Sequence, residues 1–165
     1  MSELNYVLLE QIEKSDRIKY FDYLLMADES EEVVKEYLFD GDLFAIILDG
    51  KAAGAVLFTF ETHDVVELKN IAISCNETGK GIGKLVIEKA FSIYKKRNYK
   101  RMIVGTANSS IDNLAFYQKA GFRMYEIKKD FFKKYPQPIY ENGIRALDML
   151  MFYKELQVPL MKQSR

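Results

Sequence analysis

Three glycines within six residues, Thr78-Gly79-Lys80-Gly81-Ile82-Gly83, constrain this chain more than any other segment. Residues 64–74 before them are apolar with strand character. Residues 80–97 after them carry Ile82, Val86, Ala90 and Ile93 at helical spacing, with Lys84, Glu88 and Lys95 outside that stripe. Strand, glycine turn and helix in this order make an anion cradle. Residues without a Cβ let backbone N–H groups approach a phosphate, and the helix N-terminus adds its positive end. Two common nucleotide loops fail on spacing. A Walker loop needs Ser or Thr after its lysine, and here Leu85 follows Lys84. A Rossmann turn needs G-x-G-x-x-G after the first strand, whereas this turn reads G-x-G-x-G after the fourth.

The flanking elements predict a mixed α/β chain. Residues 5–10 read as a first strand. Ser15 caps a helix whose buried side is Ile18, Phe21 and Leu25. A second helix starts near Ser30, with Glu31 and Glu32 in its first turn and Val34, Tyr37 and Leu38 buried. Residues 43–49 and 51–61 are strands joined by Asp49-Gly50, a strong hairpin turn. Further strands cover residues 101–107, 122–128 and 147–153, and a helix over 110–120 stops at Gly121. Residues 130–145, with Pro136, Pro138 and Asn142-Gly143, read as a long loop, a length usually tied to function or disorder. Antiparallel hairpins therefore come first and helical crossovers later.

Composition narrows the function classes. The length of 165 residues suits one domain, residues 1–165. Twenty-four basic residues balance twenty-four acidic ones, so no global charge draws the chain to nucleic acid or an acidic membrane. The cluster Lys95, Lys96, Arg97, Lys100 and Arg101 falls at a helix C-terminus, where positive charge suits the dipole. The longest apolar run, residues 52–60, is too short to span a bilayer. A single cysteine, Cys75, excludes an internal disulfide and points to a reducing, cytoplasmic compartment. With His63 as the only histidine, no metal site is expected.

Within residues 64–74 the apolar parity changes. Val66 and Leu68 share one face, Glu67 and Lys69 the other, and beyond Asn70 the apolar positions become Ile71 and Ile73. Such a change marks a bulge or burial of both faces.

The glycine turn resembles the [QR]-x-x-G-x-[GA] turn of the GNAT superfamily of N-acetyltransferases, with Thr78 at the usual Gln or Arg position. A second segment, Tyr117-Gln118-Lys119-Ala120-Gly121-Phe122, is similar to the family's Y-x-K-x-G-F run. The resemblance covers residues 43–153 and is most specific over 65–122. It implies an α/β fold with a mostly antiparallel sheet of about seven strands, a bulged and splayed fourth strand and four helices. It also implies transfer of an acetyl group from acetyl-CoA to a primary amine by direct attack in a ternary complex. A non-catalytic acyl-CoA-binding module of the same fold is the alternative.

The resemblance further implies site residues. The bulge would lie at residues 69–71, freeing backbone groups of Ile71, Ala72 and Ile73 for the pantetheine arm. Thr78, Gly79, Lys80, Gly81, Ile82 and Gly83 would hold pyrophosphate, with Lys84 beside them. Asn108, Ser110 or Asn113 would bond the arm, or Asn108 to Ser110 would simply cap the helix; Lys119 lies on the second motif. Tyr117 matches the tyrosine that protonates the departing thiolate, and is otherwise a core tyrosine. Glu67 lies where several members place a general base, and is equally a carboxylate pairing with Lys69. Residues 28–42 carry Asp28, Glu29, Glu31, Glu32, Glu36, Asp40 and Asp42 against Lys35 alone, which suits a cationic amine acceptor or a solvated helix face. Residues 130–145 add Phe131, Phe132, Tyr135, Tyr140 and Glu141, suited to a lid, to packing or to a dimer contact. The resemblance leaves room for a homodimer.

Overall fold

The computed structural model describes residues 6–28, 30–74, 76, 79 and 81–158; Asn5, Glu29, Cys75, Thr78 and Lys80 lie outside them. Apolar strands build an antiparallel array of β1 (Val7–Ile12), β2 (Asp42–Leu48), β3 (Lys51–Thr62) and β4 (Val65–Ile73), with β2 and β3 among them buried on both faces. Its registers include Leu9↔Ile46, Ala45↔Ala55 and Val56↔Ile71. The Asp49-Gly50 turn closes the second hairpin with φ of 52° and 86°. Two consecutive positive φ values are what a type I′ hairpin turn requires. The chain then crosses over through a helix to β5 (Arg101–Ala107), which pairs parallel to β4. The last strands, β6 (Arg123–Lys128) and β9 (Met149–Glu155), extend the sheet antiparallel, giving the order β1-β2-β3-β4-β5-β9-β6.

Helices cover both faces. α1 (Phe21–Ala27) and α2 (Glu31–Tyr37) bury Leu24, Val34 and Tyr37 against Leu43, Ala55 and Leu57. On the other face α3 (Ile82–Lys96) and α4 (Ile111–Lys119) bury Val86, Ile87, Tyr94 and Tyr117 against Phe58, Val66, Met102 and Phe152.

One irregularity sets up the site. Phe58 pairs with Leu68 and Leu57 with Asn70, so Lys69 is an extra residue in β4. Val66 and Leu68 face α3 before this bulge, and Ile71 and Ile73 pack on the same core after it. Asn70 is thereby turned toward α1 and α2. The parity change in the sequence is this bulge. Pairing between β4 and β5 is confined to Val65↔Arg101, Val66↔Met102 and Glu67↔Ile103, and the strands part beyond it.

Two expectations are corrected and one is extended. The helix expected after Ser15 is a 3-10 turn, Lys14–Tyr20, followed by α1. Its three residues per turn rotate the buried face. Ile18 is therefore 61% exposed and Arg17 is buried, donating to the carbonyls of Leu38, Asp40 and Gly41 at 3.0, 2.6 and 2.7 Å. In α3 the expected stripe holds, with Ile82, Val86 and Ala90 buried and Ile93 packed against the same core; Tyr94, outside that expectation, is also fully buried, and its hydroxyl reaches Asp42 at 2.6 Å. Residues 130–145 are not a structureless loop. They hold a 3-10 turn, Phe131–Lys134, and a hairpin of β7 (Tyr140–Glu141) and β8 (Ile144–Arg145) around Asn142-Gly143, whose φ values are 55° and 73°. Two-residue strands are too short to show alternation, which hid them in the sequence.

Candidate active site

The parting of β4 from β5 opens a cleft of about 1380 Å³. Its lining includes Asp28, Glu36 and Tyr37 from the α1–α2 side, Phe116 and Tyr117 from α4, and residues of β4 between them. A single cleft bounded by helices from both faces means that the sheet is perforated at the splay. Among the described residues, the edge of β4 beyond Glu67 that faces β5 has no strand partner. Its backbone donors and acceptors need a partner from elsewhere.

At one end of the cleft the glycines divide the work. Gly79 and Gly81 have φ of 81° and 77°, and a Cβ on either would meet none of the described residues within 4 Å. They shape a left-handed turn and keep its outer surface clear. Gly81 precedes α3 directly, and no acidic residue in the first turn of that helix offsets its positive end. Gly83 does something else. A Cβ there would stand 2.9 Å from Phe116 Cζ, so this glycine lets α4 pack close against α3.

Two titratable side chains line the middle. Glu67 is half-buried at the last position of β4 that pairs with β5, and loss of solvent raises its carboxyl pKa against the opposing charge of Lys69. Tyr117 is 5% exposed, with its ring 5.8 Å from Phe122 and 6.1 Å from Phe152. No described residue hydrogen-bonds its hydroxyl. Burial raises its pKa, so the phenol keeps its proton across the neutral range.

The acetyltransferase (GNAT) family model matches residues 9–122. The chain belongs to the GNAT family. It is 38% identical over 137 residues to the Bacillus subtilis N-acetyltransferase YvbK, covering 82% of this chain and 88% of that one. A GNAT acetyltransferase from Elizabethkingia anophelis, solved with acetyl-CoA, superposes with a TM-score of 0.84 at 35% identity, over 90% of this chain and 97% of that one. A Bacillus subtilis acetyltransferase solved with CoA gives 0.82 at 35%, over 94% and 100%.

The chain is thus an acetyl-CoA-dependent N-acetyltransferase, and its residues fit the donor. The open cradle at Gly79 and Gly81 suits a pyrophosphate, and the unpaired edge of Ile71, Ala72 and Ile73 suits an amide-bearing arm. Ile82, Lys84 and Lys119 also line the GNAT cleft. The three candidates for the arm separate cleanly. Asn108 does not line the cleft: its Oδ1 accepts from the backbone of Leu147 and Asp148 at 2.8 and 3.0 Å, and its Nδ2 donates to Arg145 O at 3.2 Å. That amide ties the hairpin's exit to α4. Ser110 lines the cleft, but its hydroxyl donates to Glu141 Oε1 at 2.5 Å, beside Ser109 at 3.1 Å. Asn113 is exposed in the cleft and uses only its Nδ2, on Thr106 Oγ1 at 3.3 Å. Sequence reasoning missed Asn70, a buried amide in an apolar strand. The one signal was its place at the parity change.

Proposed function

We propose that the chain transfers acetyl to a primary amine by direct attack, with donor and acceptor entering from opposite faces of the sheet. The observation that carries this is the perforation: the glycine cradle opens on the α3–α4 side, and the acidic α1–α2 wall stands on the other. Acetyl-CoA supplies the activated acyl carbon. Glu67 takes the proton of the incoming ammonium on its carboxylate, and the raised pKa makes it a better base than an exposed glutamate. The amine nitrogen bonds to the acyl carbon; as the carbon–sulfur bond breaks, Tyr117 gives its phenolic proton to the sulfur and is restored by the proton that the nitrogen sheds, leaving an amide and a free thiol. The free backbone edge near Ile71 offers an N–H to the acetyl oxygen.

The acceptor is an amine carrying positive charge. Glu36, Asp40 and Glu61 line its side of the cleft. Tyr135 roofs this wall: loss of solvent, then the charges of Asp28 and Glu36, push its hydroxyl up to about 12. The reading includes one domain over residues 1–165, a cytoplasmic site of action and a homodimer, the last tested by light scattering. The deciding experiment measures thiol release from acetyl-CoA with spermidine, an aminoglycoside, lysine and short peptides as amines. Turnover with cationic amines that weakens with salt supports the reading. Acetyl-CoA binding without thiol release from any amine would leave a binding module instead.

A further inference from the structure

The bulge that opens the cleft also aims one buried amide at the acceptor wall. Asn70 is 4% exposed. Its Nδ2 donates to the carbonyl of Leu24, in the last turn of α1, and to the hydroxyl of Tyr37, the last residue of α2, both at 2.9 Å. Carbonyls in a helix's last turn have no partner within the helix, so the first bond satisfies an orphan. Tyr37 in turn donates to Asp28 Oδ2 at 3.0 Å, and Asp28 Oδ1 accepts from Ser30 N at 3.2 Å. Ser30 caps α2 by accepting from Val33 N at 3.2 Å. One amide on β4 therefore ties down the end of α1, the turn between the helices and the end of α2.

We infer that Asn70 is a positioning residue for the acceptor, holding the α1–α2 wall at a fixed offset from Glu67 through Tyr37 and Asp28. The bulge is what makes this reachable: without the extra residue at Lys69, position 70 would face the α3 core. Asp28 spends its carboxylate on Tyr37 and Ser30, so it shapes the wall rather than pairing with an incoming cation. Lys69, 5.6 Å from the centre of the Tyr37 ring, lies over the same junction. The donor side shares none of these bonds. Loss of the relay should move acceptor binding and leave the donor alone.

This inference rests on the acceptor wall proposed above, and its test separates the two. Tyr37→Phe keeps the ring and removes the hydroxyl that joins Asn70 to Asp28; Asn70→Ala removes the amide. Thiol release is measured against spermidine and against acetyl-CoA for both variants and the double variant. Backbone hydrogen exchange is followed on the unliganded chain. The expected result is a rise of about fivefold or more in the KM for spermidine, with the KM for acetyl-CoA within about twofold. Tyr37→Phe should add little once Asn70→Ala is present, because the two act as a unit. Amides of residues 24–37 should lose protection while those of α3 keep theirs. If Asn70→Ala does not fold, Tyr37→Phe alone decides by the same measures. Parallel changes in both KM values, or unchanged protection in residues 24–37, would overturn the relay. A wild-type chain silent toward every amine overturns the functional reading alone, and exchange still decides the relay.

Discussion

Tyr117→Phe separates chemistry from stability, because the first should fall while the second holds. The ring contacts with Phe116, Phe122 and Phe152, at 5.2, 5.8 and 6.1 Å, are all kept by phenylalanine. What leaves is one hydroxyl on a residue only 5% exposed, with no hydrogen-bond partner among the described residues. Burying a hydroxyl without a partner costs about 1–3 kcal/mol, but among the described residues the buried side-chain polar atoms left unpartnered are Arg17 Nε and Asn70 Oδ1, and the Tyr117 hydroxyl opens on the cleft instead. The variant should therefore keep its stability within about 1 kcal/mol, a shift of no more than about 2–4 °C in Tm for a domain of this size. Turnover should fall by about 10²–10⁴, the usual contribution of a positioned general acid. Thermal unfolding without acetyl-CoA reads the first quantity and thiol release the second. Because burial raises the phenol's pKa, the wild-type acid stays protonated through the neutral range and the deficit should persist there. Turnover within about twofold of wild type, or a clear loss of Tm, would refute the reasoning.

Two further predictions rest on separate observations. Glu67 has a folded pKa above its ordinary 4.5, so the native state holds this proton more tightly than the unfolded one. Stability from this group is then gained as pH falls through the folded value and is lost as pH rises above it. Glu67→Gln should raise Tm at neutral pH, cut kcat by about 10²–10⁴, and remove the acid limb of the pH–rate profile; an unchanged profile rules out Glu67 as the base. The glycines should also part. Gly81→Ala strains a left-handed residue by about 1–2 kcal/mol without a clash and weakens acetyl-CoA binding measured by calorimetry. Gly83→Ala collides with Phe116, costing about 1–3 kcal/mol that helix propensity partly offsets. Phe116→Leu should restore the stability of Gly83→Ala but not of Gly81→Ala.

Local chemistry makes much of this protein legible in its amino-acid order. The Asp49-Gly50 hairpin, the Ser30 cap and the glycine turn are contained in a few adjacent residues, and each appears where the sequence puts it. Even the bulge is written as a parity change, because an inserted residue must reverse the alternation of a strand buried on one face. Features built from distant residues are not legible. Nothing near Arg17 announces that three carbonyls some twenty residues away will bury it. Nothing near Asn108 says that its amide belongs to the turn before β9 rather than to the cleft.

By itself, then, the sequence determined the order of the main-sheet strands and of the long helices, the place of the glycine turn and the family to which they belong. It could not separate Gly83 from Gly79 and Gly81, since only α4 packed against α3 brings Phe116 to that position. Nor could it show Asn70 joined to Leu24 and Tyr37, 46 and 33 residues away. A backbone turn is set by its own dihedrals, whereas a side-chain bond waits on where the sheet and helices finally stand.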